Sequence, residues 1–242
     1  MKFAVIGGTG LIGSQVVTIL NAAGHEAVPH SQSTGVDVIS GQGLDEAAAG
    51  ADVLVNLTNS PTFDEASPDF FRTSMDHLLA AATKGGVGHF VILSIIGTDR
   101  VPELDYYRAK TLQENILAAG PVPYSIVRAT QFMEFMGAVL AMTTDGDTVR
   151  LPATPIQPIA AKDVAAAVAE VAAGPPLNGM HKIAGPEVFP LDELGRITLS
   201  RTGDHRTVVT DPAAGMFAAV KGDVLTDRNA HLAPTHYADW LA

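Results

Sequence analysis

Lys2-Phe3-Ala4-Val5-Ile6-Gly7-Gly8-Thr9-Gly10-Leu11-Ile12-Gly13 opens the chain and decides its fold. The first five residues read as a short buried strand. A glycine-rich turn follows, and Ser14 to Ala23 carries apolar residues at helical spacing up to Gly24. A strand, a tight turn and a helix N-terminus make a cradle for a pyrophosphate. Glycines let the backbone approach the ligand, while free N–H groups and the helix dipole attract its charge. The spacing is Gly7-x-x-Gly10-x-x-Gly13, not the G-x-G-x-x-G of the common dehydrogenase fingerprint.

The rest of the first half repeats the alternation. Strands are expected at His25 to His30, Asp52 to Thr58, His89 to Ile96 and Tyr124 to Ala129. Helices are expected at Leu44 to Ala49, Asp69 to Lys84 and Asp105 to Ala119. Strand alternating with helix predicts a parallel sheet covered on both faces, a doubly wound α/β fold of Rossmann type. Beyond about Gln131 the pattern changes. A helix is expected over Gln131 to Met142, short strands at Val149 to Leu151 and Ile156 to Ala160, and a helix over Asp163 to Ala173 capped by Asp163. A strand at Met180 to Ala184 and a helix over Leu191 to Arg201 follow. One domain over 1–242 is expected, with the residues from about 131 forming a small α/β substrate region over the ends of the sheet.

Composition narrows the function. The chain has 242 residues, 47% of them hydrophobic, so a sizeable core can form. Its net charge is -11 and no Lys/Arg cluster stands out, which argues against nucleic acid or an anionic membrane as partner. There is no cysteine, hence no disulfide, thiol nucleophile or thiolate metal site. A first strand starting at residue 2 leaves no room for a signal peptide, and a cytoplasmic protein is expected. The eight histidines are scattered without metal-type pairing, and no metal is expected. The Asn56-Leu57-Thr58 sequon falls in a strand expected to be buried.

The stretch ending the second strand bears on the dinucleotide. An acid there would bind the ribose hydroxyls of NAD. This chain has Ser31-Gln32-Ser33, with no acid and with hydroxyls suited to a 2′-phosphate, so NADP is preferred and NAD remains possible. Thr58-Asn59-Ser60 ends the third strand, at the carboxyl edge where ribose and nicotinamide should pass. Ser94 lies near the end of the fourth strand, and twelve positions on come Tyr106 and Lys110. Those two, four apart, share a helix face. A free phenol has a pKa of about 10, and a neighbouring ammonium would lower it. On that reading Tyr106 exchanges the proton with a substrate oxygen, Lys110 tunes it and bonds the nicotinamide ribose, and Ser94 orients the oxygen. Phe132, Met133, Phe135, Met136 and Met142 either line an apolar pocket or belong to the core.

Together these features resemble the short-chain dehydrogenase/reductase superfamily, and in finer pattern its atypical, NmrA-like NAD(P)-binding branch. The resemblance rests on Gly7 to Gly13, Ser94-Ile95-Ile96-Gly97, Tyr107-Arg108-Ala109-Lys110 and Val127 to Glu134, and reaches to about residue 185. It implies a Rossmann fold with Thr9, Gly10, Leu11, Ile12 and Gly13 at the pyrophosphate, and it brings Ala129, Thr130 and Gln131 toward the nicotinamide. It implies hydride transfer between nicotinamide and a small carbonyl or quinone-type substrate. The branch also contains dinucleotide-binding redox sensors that act through a protein partner without catalysis. Many NADP-binding relatives carry an Arg just after the second strand, where this chain has Gln32. The oligomeric state is left open.

Overall fold

The computed structural model describes residues 1–242, Met216 by its backbone alone. In chain order the elements are β1 (Lys2–Ile6), α1 (Leu11–Ala22), β2 (Glu26–His30), α2 (Leu44–Ala48), β3 (Val53–Asn56), α3 (Ser67–Gly85), β4 (His89–Ile95), α4 (Asp105–Ala118) and β5 (Tyr124–Ala129). Then come α5 (Met136–Met142), β6 (Thr144–Asp145), β7 (Thr148–Leu151), β8 (Pro155–Ile156), α6 (Ala161–Ala173), β9 (Gly179–Ala184), β10 (Phe189–Pro190), α7 (Leu191–Thr202), β11 (Thr207–Thr210), β12 (His231–Leu232) and α8 (Tyr237–Trp240).

The central sheet has seven strands in the order β12-β9-β5-β4-β3-β1-β2. β1 pairs in parallel with β2 on one side and β3 on the other. The chain therefore reverses its direction of growth at β1. The carboxyl ends of β1 and β3 flank that switch point, the ligand position of such sheets. Strands covered on both faces must be apolar throughout. β3 meets this with Val53, Leu54 and Val55, and β4 with Phe90, Val91 and Ile92. Ala4, Ile6, Leu54, Phe90 and Ile92 pack with Met75 and Leu78 of α3 and Leu117 of α4. The expected Rossmann-type α/β fold is what the chain adopts.

Two compact units divide the chain. The first comprises 1–128 and 164–181, the second 129–163 and 182–242. In the second, β6 and β7 form a hairpin across the Asp145-Gly146-Asp147 turn, and β11 adds in parallel to β7. Glu134 accepts the Ala161 N–H at 3.0 Å and the Trp240 indole N–H at 3.1 Å, tying the start of α6 and the C-terminal segment to one carboxylate. The cap expected of Asp163 does not form. The helix begins two residues earlier, and Asp163 instead accepts the Thr235 N–H at 3.2 Å. The helix expected over Gln131 to Met142 starts only at Met133, as a short 3₁₀ turn leading into α5. Phe132 is extended and bridges Ile159. The strand expected over Ile156 to Ala160 shrinks to β8 plus that bridge. Among the described residues no helix is long and apolar enough to cross a membrane, and no cluster of three or more acids and histidines is placed to hold a metal.

One buried ion pair fixes α4 against the sheet. Arg128 on β5 forks onto Glu114 of α4, with Nε–Oε1 at 2.9 Å and Nη2–Oε2 at 2.6 Å, and its Nη1 reaches Asp99 at 3.2 Å. Both side chains of the pair are 6% exposed. Removing the cation alone strands a buried carboxylate. Arg128→Leu is expected to cost about 3–5 kcal/mol in urea unfolding, and the Arg128→Leu/Glu114→Leu double variant to recover most of it.

Candidate functional site

The cradle is built from close backbone contacts. Gly7 has φ +78°, and a Cβ there would come within 2.9 Å of the Leu57 backbone at the end of β3. A Cβ on Gly8 would meet Val5 O at 2.6 Å, and one on Gly13 would run into the Gly7 carbonyl and lie 2.7 Å from Gly8 Cα. Those three glycines are required by the fold itself. Gly10 is different: only Gly7 O, at 3.3 Å, lies near its added Cβ. That contact is tight but looser than those at Gly7, Gly8 and Gly13, so packing constrains Gly10 least of the four, and a ligand drawn close to the backbone would add to the demand. α1 starts at Gly10 with no side-chain cap and no acid in its first turn. The N–H groups of Leu11 and Ile12 therefore have no intrahelical acceptor and face the turn with the positive end of the dipole. An exposed Thr9 and a bare helix start fit a pyrophosphate.

The end of β2 leans on the same turn, with Gly7 N–H and Gly8 N–H donating to His30 O at 2.8 and 3.1 Å. The next four residues close a small hydroxyl-rich turn. Ser31 N–H donates to Thr34 Oγ1 at 2.8 Å, and the Ser31 and Ser33 hydroxyls bond each other at 2.8 Å. Gln32 and Ser33 are exposed and no carboxylate belongs to this turn. Burial, with the Lys2 charge second, pushes the His30 imidazole below its usual range.

The third strand ends in two different ways. Thr58 donates from Oγ1 to buried Asn56 at 2.7 Å, and Ser60 is buried, taking the Ser67 hydroxyl at 3.2 Å. Those bonds shape the entry to α3. Asn59 instead turns outward and accepts the Tyr106 phenol on its Oδ1 at 2.6 Å. Tyr106 is 8% exposed and sits among Phe63, Phe71 and Tyr107. Burial pushes its phenol up to about 12, and the Asn59 amide, which can turn a donor toward a phenolate, offsets part of that. The expected lowering by Lys110 does not occur. Lys110 Nζ donates to Leu93 O at 2.8 Å and to Gln113 Oε1 at 2.5 Å, and lies 4.8 Å from the Phe71 ring centroid. Burial brings this amine down to about 7 against the pull of Glu114. Tyr106 is thus a protonated donor over the physiological range, held by an amide. Ser94, beside the carbonyl that Lys110 grips, is buried, and its Oγ has no protein partner. A buried hydroxyl without a partner is costly unless a ligand or water meets it.

Ala129, Thr130 and Gln131 lie in the second unit. Thr130 N–H donates to Ile183 O at 3.2 Å, and Gln131 O accepts the Ile159 N–H at 3.0 Å. Phe132, Met133, Phe135 and Met136 line a small apolar pocket there with Leu194 and Phe217, with room for about one water. Met142 is exposed and takes no part. The partnership of Asn59 with Tyr106 was not read from sequence. The only available signal was that Asn59 follows a strand end, on the same edge as the Gly7 turn.

Fold and cradle define a Rossmann-type dinucleotide-binding protein. A sequence model of the NAD(P)H-binding family matches residues 7–175, and the chain belongs to that family. No curated protein sequence matches the chain. In three dimensions it is similar to an NADPH-dependent quinone oxidoreductase from Escherichia coli in complex with NADPH. That match has 19% identity and a TM-score of 0.76, covering 100% of this chain and 98% of the other. It is also similar to the triphenylmethane reductase of Citrobacter sp. complexed with NADP(H), at 18% identity and TM-score 0.67, covering 87% and 79%. A UDP-glucose 4-epimerase of Thermus thermophilus in complex with NAD matches at 17% identity and TM-score 0.70, covering 87% and 86%. A fold shared by reductases and an epimerase does not by itself choose the reaction.

Two tests follow. Gly10→Ala should cost only about 1 kcal/mol of stability yet weaken dinucleotide binding, whereas Gly13→Ala should lose about 3 kcal/mol. Paired urea and NADPH titrations separate them. The second test concerns Lys110, whose folded value of about 7 lies below its ordinary 10.5. Between those two pH values the unfolded chain binds the proton that the folded one has released, so stability rises with pH across that window. Cofactor-free protein should therefore gain stability relative to Lys110→Met from pH 7 to 10 in urea unfolding.

Proposed function

We propose that the protein is a cytoplasmic, NADP(H)-preferring oxidoreductase that reduces a small carbonyl or quinone-type substrate. The observation that carries this reading is the Tyr106–Asn59 hydrogen bond. It ties a protonated phenol to the carboxyl end of β3, the strand end on which the Gly7 turn packs. Proton donor and dinucleotide cradle thus share one edge of one sheet.

Thr9 to Gly13 would hold the pyrophosphate at the start of α1. The hydroxyls of Ser31 and Ser33 with Gln32 would take the 2′-phosphate, and the missing acid there favours NADP over NAD. Thr58 and Lys110 would border the nicotinamide ribose, the amine turning from Gln113. When bound there, a reduced nicotinamide would supply a hydride for the substrate. Tyr106 gives its proton to the oxygen, which becomes a hydroxyl, and Ser94 offers that oxygen a second hydrogen bond. With its pKa raised to about 12, the phenol keeps its proton and is uncharged at neutral pH, the form that can donate to a developing alkoxide.

Tyr106→Phe should bind NADPH as wild type does and lose about 100-fold or more in kcat on a ketone or aldehyde. Steady-state kinetics with a fluorescence titration check both. Wild-type turnover in that variant contradicts the assignment of Tyr106. NADPH binding without turnover on any carbonyl or quinone contradicts the oxidoreductase reading and favours a dinucleotide sensor.

A further inference from the structure

Tyr106 is almost wholly covered, and its cover dictates how a substrate reaches it. Four groups surround it: Phe71 and Tyr107, both buried, and Asn59 and Phe63, both exposed. Of these four, Asn59 and Phe63 are the ones that a molecule arriving from solvent can touch. Phe63 is 50% exposed, an uncommon position for a phenylalanine, and meets the Tyr106 ring edge-on at 4.8 Å between centroids and 71° between planes. Its remaining surface faces water beside the proton donor.

The charge on this rim is selective as well. Phe63 is followed by Asp64 and Glu65, both exposed. Asp64 accepts the Ala66 N–H at 3.0 Å, which fixes its carboxylate in the turn. On the helix of Tyr106, Lys110 is buried and turned to Leu93 and Gln113, and Arg108 is taken up by Asp105 and the Pro102 carbonyl. A phosphorylated sugar arriving here meets an aromatic ring followed in sequence by two exposed carboxylates, which repel its charge. A flat, uncharged ring meets a matching surface.

We propose that Phe63 is a substrate-specificity residue, a platform on which a planar, uncharged aromatic or quinoid carbonyl rests with its oxygen toward Asn59 and Tyr106. The inference rests on the reading of Tyr106 as the proton donor. It selects quinone-like rings from the carbonyl substrates which that reading allows, and it rejects sugar nucleotides.

The test is calorimetric binding of menadione, with NADP+ present so that no turnover occurs, to wild type, Phe63→Ala and Phe63→Tyr. Wild type and Phe63→Tyr should bind alike, Phe63→Ala about tenfold more weakly, and UDP-glucose should not bind. NADP+ affinity should be equal in all three, which shows the variants folded. Unchanged menadione binding in Phe63→Ala, no menadione binding to wild type, or binding of UDP-glucose overturns the proposal. Menadione oxidation of NADPH is followed in parallel. Phe63-dependent binding with no NADPH oxidation supports the platform while counting against the oxidoreductase reading.

Discussion

The contact between the start of α1 and the end of β1 is the constraint on which the rest of this molecule depends. No side chain fits at Gly13 against the Gly7 carbonyl, nor at Gly8 against Val5 and Pro29. That closeness seats α1 directly over the strand end. It leaves the first N–H groups of the helix without side-chain caps, next to the β1 end where the sheet changes direction. Packing requires Gly7, Gly8 and Gly13 and makes its weakest demand at Gly10.

A second constraint positions the chemistry. α4 carries both Tyr106 and Lys110, and the Arg128–Glu114 fork locks that helix to β5 while Asp99 ties in the loop after β4. A buried charge pair adds little net stability compared with an apolar packing, but it penalises any other register. With α4 fixed, Lys110 is forced into the interior, where desolvation weakens its charge, and Tyr106 is forced under Phe63 and Phe71. The two side chains share a helix face without sharing a hydrogen bond. In this structure the partner of the phenol is Asn59, so the β3 edge holds the phenol and Lys110 does not.

The first half of the fold was legible because its signals are redundant. Val53 to Val55 and Phe90 to Ile92 are apolar at every position, glycines punctuate the turns, and the helices carry clear periodicity. Legibility fell where long-range contacts set the element. Phe132 is extended because it bridges Ile159, and α6 begins at Ala161 because Glu134 accepts its N–H. Neither partner is near in sequence. β11 and β12 exist only by pairing with β7 and β9, and local pattern does not announce them. The site followed the same rule. The residue types Ser94, Tyr106 and Lys110 were visible, but the ionisation of Tyr106 was misjudged. Spacing places two side chains on one face and says nothing about burial, and burial decided the direction of both shifts.

The most direct measurement is an equilibrium titration of the protein with NADPH and with NADH, following nicotinamide fluorescence. The account predicts saturable binding of NADPH, with NADH much weaker because no carboxylate stands at Ser31 to Ser33. Failure to bind either nucleotide would contradict the cradle at Gly7 to Gly13, and tighter binding of NADH would contradict the reading of the turn after β2.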